Sequence, residues 1–453
     1  MTGTTDQSST GTSMRAGART RRRTVGLALG AAVAATLVAA PASAHRGPDL
    51  GRETLGENDG WAAAEGGTTG GAAADDDHVF VVETWGELGE ALGGDDARYD
   101  TAPRIVYVKG TLDAMADAGG EPIACDDLAD PEYSLDAYLE AYSPDNWGTE
   151  EEPSGPLEDA RERSYDNHAD QVRQHVGSNT TIVGLGHDAR IVRGSLMIRD
   201  ADNVIVRNLR VSDAYDCFPQ WDPTDGDTGA WNAEFDNIAV RTSTHVWIDH
   251  VTLDDGQNPP SSLPTIFGAP YEVHDGLLDI THGSDLVTVS WNELVDHDKT
   301  MLIGSTNSPT YDVGKLRVTL HHNLFDGIVQ RAPRVRYGQV HVYNNYYKVR
   351  PAETYQYSWG IGVESRMYAE HNAFRLTRGV ETADLMVDWG GTVVHAEKTT
   401  VNGRAVDAVA AYNAEHDPDL GADVGWEPVL HTRVDNVRWV PWLVTRHAGA
   451  GDL

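Results

Sequence analysis

Four six-residue runs in the second half of this chain share one frame, and that frame restricts the fold more than any other feature. The runs are Val287-Thr-Val-Ser-Trp-Asn292, Val318-Thr-Leu-His-His-Asn323, Val340-His-Val-Tyr-Asn-Asn345 and Met367-Tyr-Ala-Glu-His-Asn372, each closing on asparagine. Val246-Trp-Ile-Asp-His-Val251 fits the same frame without the asparagine. The tightest spacing, Asn323 to Asn345, is 22 residues, and wider intervals leave room for loop insertions. Shorter β-branched runs such as Thr181-Ile-Val183, Val204-Ile-Val206 and Ile238-Ala-Val240 extend the pattern toward the N-terminus, with no long helical stretch between them. A strand-bearing repeat of this length describes a parallel β-helix, in which each coil leaves an apolar face open until the next stacks on it. The expected class is therefore all-β, with a few short helices and long loops. Asparagines in register at one bend can bond to one another and to the backbone. Asn292, Asn323, Asn345 and Asn372 are thus read as a structural ladder and not as catalytic residues.

The ends of the chain read differently. Arg15, Arg19, Arg21, Arg22 and Arg23 precede an apolar run from Val25 to Ala40 and a small-residue stretch, Pro41-Ala-Ser-Ala44. Basic, apolar and small residues in that order describe a secretory signal peptide over residues 1–44, too short to span a bilayer comfortably. The chain is accordingly expected to be secreted and extracellular, and the Arg22-Arg23 pair fits a twin-arginine route as well as Sec. Residues 45–77, rich in Gly, Ala, Asp and Glu, read as a disordered low-complexity linker, leaving 78–453 as the folded domain. Within it, Val79–Val82 reads as a strand and Thr84–Leu92 as a short helix with Thr84 as N-cap. The acidic stretch from Cys125 to Asp170 reads as helical loops. Cys125 and Cys217 suit one disulfide in an exported protein, but sequence does not test the geometry. No second pair or nearby histidine completes a metal set around them.

The formal net charge of −35 excludes nucleic acid and anionic membrane surfaces as partners, since both would be repelled. A polyanionic partner would need local positive charge, from a bound cation or from a cluster of basic side chains. Glu234 and Asp236 are two apart, so on a strand they share a face, and Asp275 and Asp279, four apart, do likewise. Strands of successive coils lie about 4.8 Å apart, so two such pairs on neighbouring coils could converge into a hard oxygen site that suits Ca²⁺. Arg331, Arg334 and Arg336 are read as alternating along an extended stretch stiffened by Pro333, all facing one way and matched to carboxylates. Lys299, one of five lysines in the chain, sits among Asp296, His297 and Asp298, where the bland reading is a local ion pair.

Taken in order, Trp247-Ile-Asp-His250, Asp296-His-Asp-Lys299 and Arg331-Ala-Pro-Arg-Val-Arg-Tyr-Gly338 resemble the pectate lyase family of right-handed parallel β-helix polysaccharide lyases. Phe218-Pro-Gln-Trp-Asp-Pro223 resembles its bacterial extracellular subgroup, and the likeness runs from about Val79 to the C-terminus. As a set these segments are highly specific, and no motif position departs from the pattern. The resemblance implies cleavage of polygalacturonate (pectate) by calcium-dependent β-elimination, in a monomer. It implies Asp236, Asp275 and Asp279 as Ca²⁺ ligands with Glu234 as a further acid. It implies Arg331 as the Brønsted base, Lys299 and Arg336 as binders of substrate carboxylates, and supporting roles for Asp249 and Arg334. A guanidinium is protonated at neutral pH, so a base of this kind predicts an alkaline optimum.

Three other readings compete. A pectin lyase acting on methyl-esterified polymer shares the fold without the calcium site, and the intact aspartates argue against it. A polygalacturonase would hydrolyse with paired carboxylates; Asp254-Asp255 is the adjacent acidic pair available, in a loop lacking the accompanying motifs. A non-catalytic polysaccharide-binding β-helix would have lost its cations, yet Lys299, Arg331 and Arg336 are present. Asp222, Asp225 and Asp227 read as a solvated acidic turn ahead of a further calcium site, and Tyr355-Gln-Tyr-Ser-Trp359 as either groove lining or packing.

Overall fold

Each run of the frame is a strand followed by a bend. The computed structural model describes residues 49–453 apart from Asp227, Pro309, Ala352, Glu353 and Asp452, so the signal peptide expected over residues 1–44 lies outside it. Among the described residues, short strands stack into three long sheets, parallel within each sheet except for a final antiparallel hairpin. The first sheet has ten strands, running from Val79–Val82 through Thr244–Asp249 and Val318–His321 to Val394–Glu397. The second also has ten, from Thr111–Asp113 to Arg404–Val406. The third has eight and includes Ile238–Arg241, Leu278–Thr281, Leu302–Ile303, Arg334–Val335 and Trp359–Gly362. The chain visits the three faces in turn, so it winds as a parallel β-helix.

Register explains why β-branched residues recur. Val204, Val246, Val287, Val318, Val340, Met367 and Val394 stand in one column across the first sheet, all fully buried. Each such burial contributes about 1.5–3 kcal/mol. Phe325, Tyr347 and Phe374 form a second column, with ring centroids 4.8 and 4.3 Å apart. Trp291, His322, Asn344 and His371 take φ of 54–56° at the bends, and the next residue in each case is a ladder asparagine buried to the last atom. The amide of Asn323 donates to Val289 O and Asn345 Oδ1 at 2.9 Å. Its oxygen accepts from the backbone and side-chain nitrogens of Asn292. Val251, the run without asparagine, ends the ladder by donating its N–H to Asn292 Oδ1 at 2.8 Å. Asn323→Ala would strand the Asn292 N–H in the core, and the expected loss is about 3–5 kcal/mol. Urea unfolding of wild type and variant checks this, and a loss below about 1 kcal/mol would mean the ladder is decorative.

The helix Trp85–Leu92 closes the first coil. Thr84 and Glu87 form its capping box, and Trp85, Leu88 and Leu92 sink into the core. Three helices, Cys125–Leu128, Leu135–Ala141 and Pro156–Val172, occupy the acidic stretch. Cys125 and Cys217 are joined, with Cα atoms 5.5 Å apart, which settles what their spacing left open.

The disordered linker expected over 45–77 does not match residues 49–77, which lie against the outer face of the first sheet. Ala62 is fully buried and donates its N–H to Thr288 Oγ1 at 3.1 Å. Trp61 donates to Thr319 Oγ1 and Gly71 to Thr181 Oγ1. A side chain at Gly71 would collide with Arg104 O, its Cβ only 1.8 Å away. The composition that looked too polar and too small to bury a core is the one that lets backbone approach a row of threonines. Disorder rules weigh a segment's own apolar content and not the surface another segment offers.

One buried base makes stability pH-dependent. His168, on the helix Pro156–Val172, is 1% exposed, and burial followed by the nearby Arg173 lowers it from 6.5 to about 4. The unfolded chain binds a proton at His168 below pH 6.5 that the native state refuses until about pH 4, so stability falls as pH drops across that window. The full effect is at most about 3 kcal/mol. Buried Asp216, raised to about 6, acts in the opposite sense, so the readout is the difference between wild type and His168→Gln. The variant should lose less melting temperature between pH 8 and 5; equal slopes would refute the assignment.

Candidate active site

The third sheet carries the expected residues. Asp279 lies in the strand Leu278–Thr281, in register with Ala239 of the preceding coil, and Asp236 enters that coil just before Ile238. Asp236 Oδ1 accepts the Gly276 N–H and Asp279 Oδ1 the Leu302 N–H, both at 2.8 Å. Gly276 stands between the two carboxylates: a Cβ there would fall 2.6 Å from Asp236 Oδ1 and 2.8 Å from Asp279 Oδ1. Only a residue with no side chain lets both carboxylates reach the same spot.

That convergence has an electrostatic cost. Burial pushes the Asp236 carboxyl well above the usual range, and the charges of Asp279 and Asp275 push it further. Burial followed by Asp275 raises Asp279 to about 7. Three hard oxygen donors that repel one another when ionised are a site in want of a cation, and the donor set fits Ca²⁺. Glu234 stands apart. It is exposed, and its charge bears on Tyr165 and Asp216. Residues 233–237 are not strand, so the two-residue rule that paired Glu234 with Asp236 does not apply. Among the described residues, three ligand atoms within 4.8 Å of one another occur at Glu370, His371 and Glu397, at the end of the first sheet; the aspartates are more open than that.

Behind the aspartates lies a scaffold that sequence reasoning missed. His297 places Nδ1 2.7 Å from Asp255 Oδ1 and Nε2 3.0 Å from the Asp275 carbonyl. Since both partners accept, both ring nitrogens donate, and His297 is held as an imidazolium: burial opposes the charge, but Asp255 outweighs it and raises the ring. His274 spans to Asp213 at 2.9 Å. Asp254 accepts from Arg210 Nε at 2.7 Å and Ser212 Oγ at 2.6 Å. Asp254 and Asp255 thus both take part in this scaffold. Trp-Ile-Asp-His serves elsewhere: Asp249 bonds Arg207, His250 and Ser290 on the first sheet.

The cations face the same sheet. Lys299 Nζ lies 2.6 Å from Glu272 Oε2, a partner 27 residues away in sequence that replaces the local ion pair expected with Asp296 or Asp298. Burial opposes the Lys299 charge, yet Glu272 and Asp275 hold the ammonium above its usual range. Arg336 donates from Nε to Asn307 Oδ1 at 2.7 Å and from Nη1 to Gly304 O at 2.8 Å. Arg334 lies over the Trp389 ring, 4.2 Å from its centroid. The expected alternation of the three arginines fails, because residues 331 and 334 would take opposite faces of a straight strand. Arg331 has φ of 59°, and this left-handed turn sets its direction instead. Its Nε is buried without a partner, and its charge is felt by Asp279, Lys299 and Arg336. Burial, then Arg336, lowers Arg334 to about 10, and burial, then Arg331, lowers Arg336. Trp359 packs in the core against Tyr347, whereas Tyr357 adjoins Arg331 and Arg334.

Known proteins resemble this chain in sequence and fold. The family profile described as pectate lyase matches residues 154–414. A pectate lyase of Bacillus subtilis (strain 168) is 45% identical over 416 residues, covering 91% of this chain and 96% of the relative. Pectate lyase E of Dickeya chrysanthemi is 36% identical, covering 77% and 75%. Among solved structures, a thermostable pectate lyase superposes with a TM-score of 0.87 at 44% identity, over 89% of this chain and all of the other. A pectate lyase bound to a hexasaccharide does so with 0.85 at 45%, over the same shares. The winding is that of a right-handed parallel β-helix, and the chain belongs to the pectate lyase family of polysaccharide lyases.

Proposed function

We propose that this lyase cleaves polygalacturonate by calcium-dependent β-elimination, with Asp236, Asp275 and Asp279 holding the ion. The observation that carries the reading is a pair of desolvated aspartates, Asp236 and Asp279, each repelled by the charge of Asp275 and set beside a cationic cluster. When bound, Ca²⁺ supplies charge withdrawal from a uronate carboxylate. Lys299 and Arg336 bind substrate carboxylates and stabilise the negative charge that grows as the C5 proton leaves. Lys299 exchanges Glu272 for the substrate in doing so. Arg331, as free guanidine, takes the C5 proton; the C4–O4 bond breaks, C4 and C5 become doubly bonded, and the leaving oxygen takes a proton from water. Activity should therefore rise with pH into the alkaline range. Glu234 adds an oxygen to the ion only by turning away from Tyr165. Residues 1–44 act as the export signal of a monomeric extracellular enzyme. Among the described residues no helix is long and apolar enough to cross a membrane.

The test is the ultraviolet absorbance of the unsaturated product, followed on polygalacturonate at alkaline pH with Ca²⁺ and with chelator. Growth that depends on Ca²⁺ is expected. Reducing ends without absorbance would mean hydrolysis, and turnover of methyl-esterified pectin alone would mean a pectin lyase.

A further inference from the structure

Beside the catalytic sheet the protein has a cavity of about 780 Å³, bounded by the Cys125–Cys217 bridge, His168 and the strands Arg190–Val192 and Arg210–Ser212. That volume lies in the range of small-ligand sites. His168 is buried, and its Nδ1 faces the Cys217 N–H at 3.4 Å. A backbone N–H only donates, so Nδ1 accepts and the ring proton sits on Nε2. That Nε2–H has no acceptor and is closed off from the cavity, so the ring forms part of the wall and not a ligand contact.

The cavity's charge is equally unusual. In a chain of net charge −35, three guanidiniums line it: Arg190, Arg193 and Arg210. Arg193 is held by Asp113 and Arg210 by Asp254. Arg190 is exposed and, among the described residues, has no ion-pair partner, although it stands in register with Arg210. Met115, Ile123 and Val192 give the lining an apolar face. Asp213, also in the wall, is bonded to Asn258 and His274.

We propose that this cavity is a second uronate-binding site, distinct from the catalytic aspartates. The sugar carboxylate pairs with Arg190, and the C–H face lies on the apolar lining. The apolar wall favours a sugar acid over a bare inorganic anion. The choice of uronate rests on the lyase reading of the main site. Because His274 both bonds Asp213 and precedes Asp275, the two sites share a wall, and a polymer engaging both gains affinity through effective concentration.

Calorimetric titration of the full chain with trigalacturonate in chelator, for wild type, Arg190→Glu and His168→Gln, tests this. Affinity should drop about tenfold or more in Arg190→Glu and hold in His168→Gln, whose ring nitrogen is shut off from the cavity, and the neutral analogue galactotriose should not bind. KM for long polymer should rise about 3–10-fold in Arg190→Glu while kcat on trigalacturonate stays at the wild-type value. Equal titration curves for wild type and Arg190→Glu would overturn the proposal, as would inorganic phosphate binding as tightly as trigalacturonate. Absent turnover in the wild type would instead sink the lyase reading, whatever the titration showed.

Discussion

Arg331→Ala is expected to lower kcat on polygalacturonate by about a thousandfold or more, with little change in melting temperature. The asymmetry follows from what Arg331 does not touch. Its Nε has no partner, Tyr357 beside it keeps a bond to Gln330, and truncation relieves the repulsion felt by Arg336 and Lys299 while it removes an attraction felt by Asp279. Alanine and arginine bear a similar strain at φ of 59°. Stability thus holds while the proton acceptor is gone. Arg331→Lys retains charge but not the guanidine's reach or its planar donors, so it should restore little. Steady-state absorbance assays and thermal melts check both variants. Activity within about tenfold of wild type in folded Arg331→Ala would assign the proton to another group.

Asp279→Asn should affect stability and metal binding in opposite directions. In chelator the variant should melt higher than wild type, because asparagine keeps the acceptor for Leu302 N–H but removes a carboxylate that burial and Asp275 raise to about 7. Above that value the native state carries the cost of the ionised group while the unfolded chain, ionised from about pH 4, does not; the penalty appears as pH rises through the window. The gain from removing it is about 2–4 kcal/mol at pH 8. Calcium affinity should weaken by about a hundredfold or more, and the rise in melting temperature that Ca²⁺ gives wild type should vanish. Calorimetric melts with Ca²⁺ and with chelator read both effects. A variant less stable than wild type in chelator would show that the trio is not frustrated without its ion.

What the sequence disclosed and what it withheld divide along physical lines. The ladder was legible because its geometry is periodic: a fixed frame forces Asn292, Asn323, Asn345 and Asn372 into one column. Motif order singled out Asp236, Asp275, Asp279, Lys299, Arg331 and Arg336 as candidates. Their partners were not legible. Glu272 meets Lys299, and Asp255 meets His297, across loops whose paths no periodicity sets. Gly276 looked like any loop glycine until Asp236 and Asp279 closed around it. Alternation failed at Arg331 because one left-handed residue resets the direction of every side chain counted through it, and at Glu234 because pairing by two requires a strand.

The N-terminal arm changes what kind of object the helix is. A stack of coils in which each touches only its neighbours behaves as a one-dimensional chain, free to fray from either end. Here one segment binds Thr181 and Asn203 on one pair of stacked coils and Thr288 and Thr319 on another, with the coil of Thr244–Asp249 between the two pairs. Loosening any one of those turns releases part of a fastening shared by the rest. The spring is laced across its middle turns, so opening one of them costs contacts that its neighbours share.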